Sequence, residues 1–277
     1  YESLKHTYLN RMPKELHKWY LTEYTTIFKL VNDCKKPQLQ DNKINLSSPL
    51  KFLVHKKFSE FDEATKKAAE LFLSYMKEVL ANNNNESFIY IRNWYAAVCQ
   101  GRKNDSLLYN RGPEGAGKST CTDMFEYYIL GEKVCSVPSS DVLKTSYNAS
   151  ICGKILVVFE ELPTFSKNEW EGVSSKLKNQ ITEKRLMYSD KYMKSFEAEN
   201  INNYVINTNV DAIKNSQGRR YFITDISVKH LQDHAYFEKL KDTCFNDKVG
   251  EALFAYFTEI DISKWHAQKD MPETQNK

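Results

Sequence analysis

Apolar residues recur at helical spacing through roughly the first hundred positions and then, past Gly101, gather into short runs; this change of period divides the chain. Leu16, Tyr20, Tyr24, Ile27, Phe28 and Val31 predict a helix over 14–31. The pattern fades between 41 and 53. Ser59 with Asp62 three residues later has the form of a capping box, and Phe61, Ala64, Ala68, Phe72, Tyr75, Met76 and Val79 continue one stripe. A second helix over 86–100 stops before Gly101.

Beyond that glycine, β-rich runs at 106–109, 133–137, 154–159, 203–206 and 221–226 alternate with helical stretches, the signature of a mostly parallel sheet covered on both faces. Leu231, Tyr236, Leu240, Leu253, Phe254 and Phe257 predict a closing helical segment, frayed near Thr274. The expected organisation is therefore α/β: a helical N-terminal region over 1–100, an α/β core over 101–226 and a C-terminal helical segment over 227–277. No internal repeat of 20–50 residues interrupts it.

With 277 residues the chain can bury a full core, and 41% hydrophobic and 27% charged residues exclude linker, collagen and disordered classes. No apolar run approaches the roughly 18 residues of a membrane span, and Tyr1-Glu2-Ser3-Leu4 lacks a signal-peptide pattern, so a soluble intracellular protein without a membrane partner is expected. The missing initiator Met suggests that further chain lies upstream. A net charge of +3 is too small to imply nucleic-acid binding in bulk, so any basic site must be local. The six cysteines form no C-x-x-C pair and read as reduced, buried thiols.

Gly112-Pro113-Glu114-Gly115-Ala116-Gly117-Lys118-Ser119 matches G-x-x-x-x-G-K-[ST] in full, between an expected strand and an expected helix. Glycines let backbone N–H groups approach phosphate oxygens, Lys118 neutralises the β- and γ-phosphates, Ser119 offers its hydroxyl to Mg²⁺, and Thr120 reaches the α-phosphate. The expected ligand is ATP with Mg²⁺. The apolar run at 154–159 ends in Glu160-Glu161, which delivers both carboxylates beside the phosphates. In such pairs the first supports the metal and the second activates water. The run at 203–206 leads into Asn207-Thr208-Asn209, where Asn209 is the choice for a residue that senses the water or the γ-phosphate; a plain turn is the alternative. Gly218-Arg219-Arg220-Tyr221 then places two guanidiniums suited to a phosphoryl transition state, in cis or from a neighbouring subunit.

This set, in this order, resembles a superfamily 3 helicase, the AAA+-like replicative motor of small DNA viruses, phages and plasmids. The resemblance is closest to the viral and phage primase-helicase type, through Ile181-Thr182-Glu183, Lys191-Tyr192, Asn209, Arg219-Arg220-Tyr221, Gly250-Glu251-Ala252-Leu253-Phe254 and Pro272-Glu273-Thr274. It covers about Phe72 to the end. It implies an ATP hydrolase that unwinds DNA with 3′ to 5′ movement, a ring, commonly a hexamer, with ATP sites closed by the neighbour's arginine, and an upstream primase, polymerase or nickase in the host cell of a virus or plasmid. The N-terminal helices are the expected collar. Ser216-Gln217-Gly218 stands where the family has an acidic residue, which leaves open which arginine is the finger.

The stretch 185–196 interleaves basic and aromatic residues and resembles the family's pore β-hairpin. Lys191 and Lys194 would track the phosphates of single-stranded DNA, and Tyr192 would stack on any base. An ordinary edge hairpin is the alternative. Rival functions are an AAA+-type packaging or remodelling ATPase without strand separation, a P-loop small-molecule kinase, and a GTPase, although no Asn-Lys-x-Asp guanine signature is present. Trp94, Trp170 and Trp265 read as packing residues.

Overall fold

The computed structural model describes residues 29–40, 43–209 and 220–273. It opens with a small sheet of β1 (Lys29–Val31), β2 (Leu39–Gln40) and β3 (Lys43–Asn45), in the order β1-β3-β2. This departs from the expected helix, whose last residues are strand; positions 1–28 lie outside the described residues. The cause is long-range. β1 pairs in parallel with β3, and the Asn32 side chain donates to the Glu199 carbonyl at 2.8 Å, contacts that no local window contains.

Helix α1 (Glu63–Tyr75) begins one turn beyond Ser59 rather than directly after it. Ser59 lies in a 3₁₀ turn, and Asp62 is the cap: its carboxylate accepts from the Thr65 amide at 3.0 Å and the Thr65 hydroxyl at 2.9 Å. Ala64 is exposed, and the buried stripe runs instead through Thr65, Ala68, Ala69, Phe72 and Tyr75. After a π-helical stretch at Met76–Leu80, α2 (Asn85–Cys99) is capped by Asn84 and stops before Gly101, whose φ of +70° suits glycine.

The main sheet contains β4 (Leu107–Arg111), β5 (Cys135–Ser136), β6 (Leu156–Glu160), β9 (Asn203–Thr208) and β10 (Tyr221–Asp225). Its order is β10-β4-β9-β6-β5 and every pairing is parallel. The intervening elements are α3 (Lys118–Asp123, prolonged by a π-helical stretch to Leu130), the short α4 (Asp141–Lys144), α5 (Lys167–Thr182) and the antiparallel hairpin of β7 (Arg185–Tyr188) and β8 (Phe196–Glu199). Helices α6 (His234–Cys244) and α7 (Asp247–Glu259) close the chain as expected.

Alternation along the strands sorts the core into two layers. Leu108, Leu156, Val158, Val205 and Phe222 face α1, α2, α7 and the segment after Lys118, while Tyr109, Val157, Phe159, Tyr204, Ile206 and Ile223 face α5 and the hairpin. Both faces of the sheet are therefore buried. Trp94 and Trp170 are buried in these layers and Trp265 packs against the first. All six cysteines are free and buried, and burial pushes the Cys34 and Cys121 thiols up to about 12, which makes them poor nucleophiles. No helix among the described residues is long and apolar enough to cross a membrane.

Candidate functional site

Parallel strands end on one side of the sheet, and there Glu114, Gly115, Gly117, Lys118, Ser119, Thr120, Glu160, Glu161 and Asn209 line one cleft of about 270 Å³. The structure thus gathers residues from three expected motifs. The loop between β4 and α3 needs its glycines. Gly117 has φ +92°, and a Cβ there would lie 2.5 Å from the Phe237 ring on α6. The backbone is pinned from behind by the Tyr75 hydroxyl, which donates to the Gly117 carbonyl at 2.6 Å, and by the Gln232 amide, which donates to the Gly115 carbonyl at 3.1 Å. Ala116 is buried.

Lys118 folds back over the loop, donating to the Gly112 and Pro113 carbonyls at 2.7 Å each. Partial burial lowers its pKa, against the opposing pull of Glu160, Glu161 and Glu114. Ser119 Oγ donates to Glu160 Oε2 at 2.9 Å, so the loop hydroxyl and the strand carboxylate already meet. Glu161 leaves the sheet with φ +55°, a conformation unusual for a carboxylate residue, and its amide donates to the Asn207 carbonyl at 2.8 Å while its side chain is exposed.

Asn209 sits at the cleft wall, where the sequence places it. A second asparagine, which sequence reasoning passes over as part of a turn, is buried and touches Glu160. Asn207 Nδ2 donates to Glu160 Oε1 at 2.8 Å, because β9 continues through Thr208 rather than ending at 206. Asp123, Phe237 and Lys241 also line the cleft without a motif to announce them. Burial, with Glu160 nearby, raises the Asp123 pKa, and Lys241 opposes the shift.

Oxygen donors Ser119 Oγ and Glu160, with Asp123 beside them, suit a hard cation such as Mg²⁺, which takes one or two carboxylates and completes its shell with phosphates and water. Among the described residues no group of three or more His, Cys, Asp or Glu side chains stands ready to hold a metal alone.

Of the paired arginines, Arg220 is separated from this cleft. Arg219 lies outside the described residues. The Arg220 carbonyl accepts from the Leu107 amide at 2.8 Å, level with the start of β4, whereas the loop begins after Arg111 at its other end. Five strand residues put it roughly 16 Å from its own cleft.

The stretch 185–196 lies in a hairpin that continues to Glu199, on the face opposite α1 and α2. Its tip carries Lys191, Tyr192 and Lys194. Tyr192 is fully exposed with φ +62°, and Lys191 Nζ lies 5.9 Å from the ring centroid of Tyr147, an aromatic that no motif marks. The base of the turn is tied down: Asn148 Nδ2 donates to the Met187 carbonyl at 3.0 Å, Asn148 Oδ1 accepts from the Ser189 amide at 2.9 Å, and the Ser189 and Ser195 hydroxyls bond at 2.7 Å.

A family of unknown function, DUF5906, matches residues 110–220, the span from the end of β4 to the start of β10. The chain is 25% identical over 224 residues to the DNA primase-polymerase of Nitratiruptor phage NrS-1, an alignment that covers 80% of this chain and 30% of that protein. Its fold is similar to that of part of the NrS-1 C-terminal region. One apo structure superposes with a TM-score of 0.68 at 19% identity, covering 87% of this chain and 57% of the other. A second, the A form, gives 0.62 at 20% identity over 84% and 55%. The chain thus spans about a third of the length of the phage enzyme and just over half of its solved C-terminal region.

Proposed function

We propose that the chain is the ATP-driven motor of a phage-type replication protein, a superfamily 3 type helicase with an AAA+-like core. In this reading it turns over Mg-ATP in the cleft and moves on single-stranded DNA held by the hairpin tip. The observation that carries the reading is the meeting of Ser119 Oγ with Glu160 Oε2 at 2.9 Å in the cleft that also holds Lys118. Two motifs far apart in sequence meet in one hydrogen bond, which brings a hydroxyl and a carboxylate oxygen to the same side of the cleft. The likeness to a protein named DNA primase-polymerase supports the replication setting, with a primase, polymerase or nickase unit working beside the motor inside the host cell.

Each residue has a role that its surroundings permit. The loop over Gly112–Thr120 wraps the phosphates, and Lys118 exchanges its two carbonyl partners for the β- and γ-phosphate oxygens. Ser119 and Glu160 would hold Mg²⁺, which would supply charge neutralisation at the phosphates. Glu161, exposed at the mouth of the cleft, takes the proton of the attacking water, and Asn209 orients that water. Arg220 is too far from its own cleft to serve it, so it, or Arg219 beside it, completes the site of a neighbouring subunit. That requires a head-to-tail contact that closes into a ring, a hexamer by family resemblance. At the tip, Lys191 and Lys194 follow phosphates and Tyr192 stacks on bases without selecting among them. Movement from 3′ to 5′ is the family's direction.

Binding of a fluorescent ATP analogue and unwinding of a forked DNA substrate test this together. The parent chain is expected to do both and Lys118→Ala neither. Nucleotide binding that survives Lys118→Ala removes the site assignment. Hydrolysis without unwinding leaves a packaging or remodelling ATPase.

A further inference from the structure

Three polar residues are buried side by side near the C-terminal ends of the strands of the main sheet, where apolar side chains would serve packing as well. Asn110 on β4, Asn207 on β9 and Thr224 on β10 are each under a tenth exposed. Strand register places them on one level: Thr224 is the partner of Asn110, Asn110 of Asn207, and Asn207 of Glu160. Cross-strand partners project from the same face, here the face packed by the segment after Lys118, so four side chains form one row ending at the cleft.

The hydrogen bonds in this row all point one way. Thr224 Oγ1 donates to Asn110 Oδ1 at 3.2 Å, Asn110 Nδ2 donates to Asn207 Oδ1 at 2.9 Å, and Asn207 Nδ2 donates to Glu160 Oε1 at 2.8 Å. A carboxylate only accepts, so it compels Asn207 to present its NH₂ group. That turns the Asn207 carbonyl toward Asn110, which must then present its own NH₂ group and leave its carbonyl for the rotating Thr224 hydroxyl. The orientation of every amide thus follows from the charge at one end. Conversely, the row fixes Glu160: Oε1 is held by Asn207 and Oε2 is turned to Ser119 Oγ. Thr122 Oγ1, on α3, also stands 3.4 Å from Oε1.

We propose that Asn110 and Asn207 are positioning residues that aim the Glu160 carboxylate, anchoring one oxygen so that the other faces the cation, with Thr224 as the outer stop of the row. This rests on reading the cleft as a Mg-ATP site. Hydrogen-bonded partners behind a metal ligand typically change metal affinity 10–100-fold when altered. Asn110→Asp is the sharpest change, because it keeps the shape and replaces the donor with an acceptor, which sets two oxygens against each other and drives Asn207 to flip its carbonyl toward Glu160.

The test titrates Mg²⁺ against the chain with a fixed amount of fluorescent ATP analogue, and repeats nucleotide binding in EDTA. Asn110→Asp is expected to need about 10-fold or more additional Mg²⁺ for half-maximal binding, with metal-free binding retained through the loop and Lys118. Thr224→Val is expected to shift in the same direction by less. A parental Mg²⁺ midpoint in a folded Asn110→Asp chain overturns the proposal, and so does an equal loss with and without Mg²⁺, which marks a purely structural role. If Asn110→Asp does not fold, Thr224→Val decides, and a parental midpoint there overturns it. Failure of the underlying reading looks different: the parent itself then binds no nucleotide, or binds it as well after Lys118→Ala.

Discussion

Behind the cleft, Asn207, Asn110 and Thr224 hold one another and Glu160 across four strands, and Lys118 and Ser119 are bonded at the cleft itself. At the hairpin tip, Lys191, Tyr192 and Lys194 project into solvent, and only the turn beneath them is fastened through Asn148 and the Ser189–Ser195 pair. The contrast follows from the tasks proposed for them. Phosphoryl transfer gains from groups fixed before the substrate arrives, which demands neighbours that lock each rotamer. A strand that slides past needs charge and a flat ring at a surface, and loses by being gripped too exactingly in one geometry.

Breaking the fixed region is expected to produce the largest effects. Glu161→Gln keeps the size of the side chain but cannot accept a proton, so ATP binding persists while turnover falls by about 10²–10⁴-fold; single-turnover hydrolysis with a separate binding titration checks it. If Glu160→Gln stops turnover and Glu161→Gln does not, the two roles are exchanged. Gly117→Ala adds a methyl group 2.5 Å from the Phe237 ring at a φ of +92°, which costs about 1–2 kcal/mol from backbone strain before the clash is counted. Thermal unfolding should show the loss, and nucleotide binding should weaken with it.

The surface region should respond more gently and to a different variable. Replacing Lys191 and Lys194 together with Ala is expected to leave the melting temperature near that of the parent while weakening single-strand binding. The slope of log K against log salt should fall by about 1.4, at roughly 0.7 for each phosphate that is no longer neutralised. The weakening should be the same for different base sequences. An unchanged slope makes the hairpin an ordinary edge.

The smallest effect concerns charge crowding in the cleft. Burial and Glu160 raise the pKa of Asp123 above its unfolded value, so the folded state binds the proton more tightly. Stability therefore falls as pH rises through that carboxyl's folded pKa, and the penalty is absent below its unfolded pKa. In EDTA, Asp123→Asn should melt slightly higher than the parent at pH 7, with the gain shrinking toward pH 4. A gain that grows as pH falls contradicts the crowding.

The sequence made much of the cleft legible, because the glycine-rich loop is contiguous and because buried parallel strands are apolar runs that end where their side chains matter. Glu160, Glu161 and Asn209 stand at such ends. Asn110, Asn207 and Thr224 were not legible, since an asparagine at a strand end looks like a turn and a threonine within a strand looks like packing; only the register aligns them. Phe237 and Lys241 come from α6, more than a hundred residues beyond the loop, with no motif to connect them. The strand at Lys29–Val31 was hidden for the same reason, since its partner is β3 and the Asn32 side chain just after it bonds the carbonyl of Glu199.

The most direct measurement compares ATP hydrolysis by the chain with and without single-stranded DNA, in the parent and in the Lys191→Ala, Lys194→Ala double variant. If the fixed cleft drives the exposed tip, DNA raises the parent's rate and fails to raise that of the variant. Equal stimulation of both, or a parent that hydrolyses no ATP under either condition, contradicts a motor that joins these two regions.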